Sequence, residues 1–295
     1  MLSAQPALAA VPARRPWSGG GFWRALGRKP VGAMAGLICA LFIFAGAFAP
    51  LLAPYGMNTP SPSQRMKGPT WAHPMGTDHL GRDLLTRILY GARVSVIVAF
   101  SAATLATVIS LALGVVSGYF GGRVDIVVQR FVDAWMSFPD LVVLIVFAAA
   151  LGPGGPQIVL LLGLVYGIGG SRIVRSAVLP VRENLYVEAA RSLGAGTPRI
   201  LFRHILPNIA APVIVLFSTR VGLAILAEST LSFLGLGVPP PAPTWGGMLA
   251  GAGRTYMYLA PWLAVAPGLS LTLVVYGVNM FGDALRDILD PRLRQ

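Results

Sequence analysis

One cysteine, three histidines and eleven carboxylates are all that 295 residues offer for metal or acid–base chemistry. Cys39 stands alone in an apolar run, which excludes an intrachain disulfide and a thiolate metal cluster. Charged residues make up 12% of the chain, where soluble domains carry about a quarter. No G-x-x-x-x-G-K-[ST] segment occurs, so the chain lacks the backbone cradle and lysine that hold nucleotide phosphates. "LGPGGP" and "GAGTP" are glycine-rich but contain no lysine and read as turns. No Ser-His-Asp or His-Glu-x-x-His arrangement appears either. The chain does not read as an enzyme, and it offers no cofactor site of its own.

What is present is apolar. Hydrophobic residues are 55% of the sequence and mean hydropathy is +0.69, with several runs near 20 residues. That pattern predicts an all-α polytopic membrane protein. Spans are expected at 31–53, 94–118, 126–150, 157–173, 209–234 and 261–282. The third and fourth carry Gln129, Arg130, Asp133, Asp140 and Arg172, and read as a helical hairpin around "GPGGP" at 152–156. A net charge of +12 would suggest nucleic acid in a soluble protein. Here the basic residues flank apolar spans, and no nucleic-acid partner is expected.

Their distribution sets a direction. Arg14, Arg15, Arg24, Arg28 and Lys29 precede the first span, and Arg123, six arginines between 172 and 203, Arg286, Arg292 and Arg294 fall on the same side. The other side holds Arg65, Lys67, Arg82, Arg87, Arg93 and Arg254. Fifteen against six places both termini and Gly194 in the cytoplasm, with Met75 and Trp245 outside. Basic residues before "GLICALFIFAGA" resemble a signal peptide, but the apolar run continues through Leu52 and reads as an uncleaved anchor. The expected organisation is a tail (1–30), the first span (31–53), an outer loop (54–93), a transmembrane core (94–284) that includes residues 182–208, and a second tail (285–295).

One polar segment interrupts the apolar pattern: "RENLYVEAARSLGAGTPRILFRHILPN", residues 182–208. Leu185, Tyr186, Ala189, Ala190 and Leu193 recur at helical spacing, while Arg182, Glu183, Glu188 and Arg191 mostly face elsewhere. Gly194 supplies the left-handed stop. Thr197 is expected to cap a second helix with Pro198 in its first position, placing Arg199 and Arg203 four apart and ending at Pro207. A hairpin resting on lipid would be uniformly basic. The mixed charge, with Glu183 and Glu188 among the arginines, favours a docking surface for a protein.

"EAARSLG" followed by "HILPN" resembles the EAA loop of bacterial ABC-importer permeases, in which a coupling helix fits a cleft on the ATPase. The resemblance assigns Glu188, Ala189, Ala190, Gly194, Arg199, His204, Leu206 and Pro207 to that loop. His204 replaces an aliphatic residue of the general pattern, which is usual in the peptide branch. "HPMGTDHLGRDLLTRILYGARVS" (73–95), "GYFGGRVD" (118–125), "LSFLGLGVPPPAPTWGGML" (231–249) and "FGDALRDILDPRLR" (281–294) are similar to the second-type permease of dipeptide, oligopeptide and nickel importers, in the family's order. The resemblance implies six transmembrane helices of the type I importer fold in a bacterial inner membrane. It also implies a homologous second permease, two ABC ATPase subunits holding ATP and Mg, and an extracytoplasmic solute-binding protein.

Glu228 lies in the fifth span and reads either as a path-lining group, with Ser229 and Ser232 beside it, or as a hydrogen-bonded brace between helices. Arg220 is eight residues earlier, about 12 Å along the axis and too far for a salt bridge to it. Arg130 and Asp133 are expected to neutralise each other, as are Asp83 and Arg87. Leu84, Leu85, Ile88 and Leu89 read as an amphipathic outer helix. His73, Asp78 and His79 have no metal-ligand spacing, so no metal site is expected. The spans hold no His or Cys cluster of the kind nickel prefers, which favours peptide as cargo over bare nickel. An ion-coupled secondary transporter, with Glu228 or Asp133 as coupling group, and a non-transporting assembly factor are the readings from other classes.

Overall fold

The computed structural model describes residue 27 and residues 29–289, and it is helical almost throughout. The tails expected at 1–30 and 285–295 therefore lie largely outside the described residues. Residues 285–289, however, belong to the last helix and not to a tail.

Eight helices carry the architecture: α1 (Pro30–Ala47), α2 (Leu84–Phe120), α3 (Gly122–Met136), α4 (Asp140–Leu151), α5 (Gly155–Arg182), α6 (Leu185–Ser192), α7 (Ala210–Phe233) and α8 (Trp262–Leu289). Five of them, α1, α2, α5, α7 and α8, are long and apolar enough to cross a bilayer. The expected third span is not one helix. It is the pair α3 and α4, meeting at an 81° bend. Pro139 stands at the break and pushes Phe138 out of helical geometry. α3 carries Asp125, Arg130 and Asp133, while α4 has 12 residues and spans about 18 Å, short of a hydrocarbon core on its own. Taken as one bent span, the pair brings the total to six.

Charge pairing explains where the polar residues of these helices settle. Asp133 pairs with Arg172 of α5, not with Arg130. Asp125 accepts from Nε and Nη2 of Arg175 at 2.6 and 2.5 Å, a two-pronged contact that suits a planar guanidinium. These pairs let α5 continue nine residues beyond the expected end at 173, with Pro180 accommodated near its exit. Lys29 pairs with Asp287, so the start of α1 and the end of α8 share one end of the bundle.

The core of the bundle is the crossing of α2 and α5. Ser110, Gly114 and Gly118 on α2 face Gly163, Gly167 and Ser171 on α5, each series spaced by four and therefore on one helix stripe. Small residues let two backbones approach in a setting where lipid removes most of the hydrophobic drive for association. A Cβ at Gly114 would fall 2.6 Å from Ser171 O, and one at Gly167 would fall 2.7 Å from Ile109 Cβ. Ser110 Oγ donates to Gly167 O at 2.8 Å across the same contact.

The end of the bundle where α2 begins is a built layer. α2 does not begin as a separate surface helix: Leu84 and Ile88 are buried in the first turns of a helix of 37 residues. Asp83 caps α2 by accepting from Thr86 N at 2.8 Å and pairs with His73, while Arg87 lies 3.8 Å from Asp78. The expected Asp83–Arg87 pair does not form, because the cap takes the Asp83 carboxylate. Trp245 is buried, stacks near Phe42 with centroids 5.5 Å apart and donates to Ile88 O at 3.1 Å. It is a plug in this layer.

Gly114→Leu and Gly167→Leu are each expected to destabilise the bundle by about 1–3 kcal/mol through overpacking of the crossing. Thermal unfolding in detergent should show the loss for both, while Gly155→Ala, whose Cβ would meet only Val238 at 4.0 Å, should unfold as the unsubstituted protein does.

Candidate functional site

The segment 182–208 leaves the C-terminal end of α5 and is tied back to the bundle at several points. Arg182 Nη1 donates to Gly118 O at 3.1 Å, closing the last carbonyls of α2. Arg191 lies over the Tyr119 ring at 5.9 Å, and the Tyr186 and His204 rings are 6.1 Å apart. Below them Val187, Ile200, Ile205 and Ile209 are fully buried against Val115, Tyr119, Val174, Val178 and Leu216, a second small core separate from that of the main bundle.

The hinge has the expected chemistry. Gly194 adopts φ +78, Ala195 N donates to Ala190 O and Gly194 N donates to Arg191 O, each at 3.0 Å. That pair of bonds is the Schellman arrangement, which satisfies the final carbonyls of α6 and requires a left-handed residue where glycine stands. The second half differs from expectation. Gly196, not Thr197, is the N-cap, and Pro198 follows Thr197 in the first turn. After Ile200 the backbone widens into a π turn at Leu201–Ile205 and tightens into a 3₁₀ turn at Leu206–Asn208. Pro207 has no N–H to give, and its ring crowds the carbonyl four residues back, so an unbroken α-helix is not available there. Asn208 Nδ2 caps His204 O at 2.7 Å instead.

The apolar stripe of α6 faces away from the bundle: Leu185 and Leu193 are 82% and 88% exposed, Phe202 is 72% exposed, and Val187 is the buried anchor. Val187 was not singled out by spacing, because the stripe on the opposite side of the helix was longer and more apolar. Glu188, Ala189, Arg199 and Pro207 are exposed, and Ala190, His204 and Leu206 are half-buried. A rigidly held helix thus presents leucines and a carboxylate away from its own protein, which is the arrangement of a docking surface.

The remaining site residues lie elsewhere. Glu228 is fully buried, accepting from Ser232 Oγ at 2.7 Å and Ser229 Oγ at 3.4 Å, with Ser95 of α2 close by. The carboxyl is fully enclosed in this conformation, whereas Ser232 reaches the wall of a cavity of about 560 Å³ at the end where α2 begins. Asp78, His79, Arg82 and Arg87 line the same cavity. Asp78 is occupied by Leu80 N, Arg82 N and Arg82 Nε at 2.8, 3.0 and 2.6 Å. Burial holds His79 below the ordinary imidazole range, against the pull of Asp78, and the arginines around it act in the same direction as burial. It sits in a loop held by turns.

Comparison with known proteins gives the family. The family described as binding-protein-dependent transport system inner membrane component matches residues 110–295, and the N-terminal TM domain of oligopeptide transport permease C matches residues 17–69. The chain is 42% identical over 258 residues to the dipeptide transport system permease protein DppC of Alkalihalophilus pseudofirmus, covering 88% of this chain and 84% of that one. It is 38% identical over 295 residues to the glutathione transport system permease protein GsiD of Pectobacterium atrosepticum, covering 100% and 97%. Among solved structures it resembles the inward-facing MetNI methionine ABC transporter, with a TM-score of 0.55 and 17% identity over 69% of this chain and 96% of that chain. At that identity the likeness is one of fold. The chain therefore belongs to the binding-protein-dependent transport system inner membrane components, as a multi-pass, non-catalytic permease subunit of an ABC importer.

Proposed function

We propose that this permease carries dipeptides and short oligopeptides across a bacterial inner membrane, sharing its translocation path with a homologous second permease. The observation that carries the cargo is the 42% identity, over most of the chain, to a protein named for dipeptide transport. Relatives named for glutathione and for di- and tripeptides fall in the same range of identity, and all of these cargoes are short peptides. Two ABC ATPase subunits would hold ATP and Mg, this chain binding neither, and an extracytoplasmic solute-binding protein would deliver the cargo. Both termini and the 182–208 loop would face the cytoplasm, a reading supported by the basic-residue asymmetry and by the shared end of α1 and α8.

In this reading the exposed face of α6 seats in the ATPase. Closure of the ATPases on ATP pushes the loop, and the loop is tied firmly enough to α2 and α5 that the spans move with it. Glu188 supplies the charged contact that fixes register, and Leu185 and Leu193 supply apolar area.

Two outcomes are expected. Cells lacking this gene should lose uptake of labelled dipeptides and tripeptides and keep nickel accumulation; intact peptide uptake with lost nickel would contradict the cargo. In the reconstituted complex, Gly194→Val should leave the protein inserted yet lower peptide moved per ATP, because a β-branched residue at φ +78 costs about 1–2 kcal/mol and shifts the hinge. Glu188→Lys should lower the same ratio by setting a cation where the partner meets a carboxylate. Unchanged ratios in both variants would remove the loop from coupling.

A further inference from the structure

Arg220 is the eleventh residue of α7, about 15 Å along the axis from Ala210 and so near the middle of a hydrocarbon core of about 30 Å. A guanidinium at that depth is rare and belongs either to a bundle interior or to a watery path. Its Cζ stands 5.2 Å over the Tyr166 ring of α5, while its Nε is buried without a hydrogen-bond partner. Among the described residues no carboxylate lies within 4 Å of it. It is half-buried, not sealed in.

The neighbourhood is assembled from α5, α7 and the bent α3–α4 pair. The break between α3 and α4 comes to this depth, with Met136 reaching within 3.9 Å of a Cβ placed on Gly169 of α5. Gly170 leaves room for the guanidinium: a Cβ there would lie 3.4 Å from Arg220 Nη2. Asp140, in the first turn of α4, is exposed and stands at the same break, four residues after Met136. Irregular backbone at membrane depth is tolerated where protein buries it or where it lines a cavity, and here it carries an exposed carboxylate on the broken span that packs against α5 next to the half-buried cation. Glu228, fully enclosed by its serines, offers no such access.

The geometry points to Arg220 as a mid-membrane contact for the terminal carboxylate of a passing peptide, with Asp140 set to meet the ammonium end. This rests on the peptide reading given above. Tyr166 holds the guanidinium in place by the face of its ring, leaving the donors of the fork for a planar carboxylate. The bent α3–α4 pair supplies the opening. A short peptide carries both charges on one small molecule, which suits a site holding one group of each sign on separate helices.

The test uses the full complex, with its ATPases and binding protein, in proteoliposomes. Peptide moved per ATP hydrolysed is the readout, and uptake by the unsubstituted complex is the reference. Arg220→Met should lower that ratio by at least about tenfold and Arg220→Lys should retain a substantial part of it. In a Cys39→Ser background, Arg220→Cys should behave like the methionine variant and recover when an aminoethyl thiol reagent restores a cation, but not when a methyl thiol reagent does not. An Arg220→Met ratio within about twofold of the reference, or recovery with the uncharged reagent, would overturn the assignment. So would loss of the second permease from the purified Arg220→Met complex, which would mean that the arginine pairs with a partner's carboxylate. Failure of the unsubstituted complex to move peptide at all would instead overturn the cargo.

Discussion

The approach of α2 and α5 is the contact on which everything else is hung. Two helices meet along small residues so closely that a methyl group at Gly114 or Gly167 would touch the opposing backbone or side chain. Within a bilayer such packing is one of the few associating forces available, and it leaves little room for one helix to slide on the other. At its inner end the pair carries the 182–208 segment, stitched to the last turn of α2 through Arg182 and seated on Val115, Tyr119, Val174 and Val178. Halfway along, it carries Tyr166 and the pocket beside Gly170 that receives Arg220. A displacement applied to the loop is therefore delivered to both helices at once. The same rigid pair links the exposed face of α6 to the level of Arg220.

Polar residues in this protein fall into distinct arrangements, and the difference follows from depth. At the end of the bundle that carries the 182–208 segment Asp125 and Asp133 are paired with Arg175 and Arg172, which lets α3 and the end of α5 leave the apolar region with their charges matched. In the C-terminal half of α7 Glu228 is enclosed and satisfied by serines, a fixed element of structure in this conformation. Arg220 belongs to neither arrangement. Its ring contact steadies it without using up its hydrogen-bonding capacity, and the broken span beside it opens the level at which it sits.

The periodicity of apolar runs marked five spans well, because a hydrocarbon core demands about 20 apolar residues and little else competes with that demand. Helix ends were read less well: Arg172 suggested an exit that pairing with Asp133 postpones to Arg182. The third span was read as one helix because composition is blind to direction. Pro139 was the available signal of a break, yet nothing local fixes an angle of 81°. In the loop, Gly194 was identified correctly because a left-handed stop has a single good residue. Which side of α6 faces inward was not recoverable from its own pattern. The stripe containing Leu185 and Leu193 looks like a core-facing surface until a partner is considered, and only the tertiary placement of Val187 reverses it. The Tyr166–Arg220–Asp140 neighbourhood joins three segments distant in sequence, so no spacing rule reaches it.

The central claim is that the outward stripe of α6 is held by this chain for an ATPase to grip. The most direct measurement places a single cysteine at Leu193, in a Cys39→Ser background, and cross-links the assembled complex with a short thiol reagent to cysteines introduced along the ATPase surface. The account predicts a cross-link to the ATPase whose yield changes when ATP is added, and no modification of position 193 by an impermeant reagent applied outside intact cells. A residue labelled from outside, or one that never cross-links to the ATPase in a complex that still moves cargo, would contradict it.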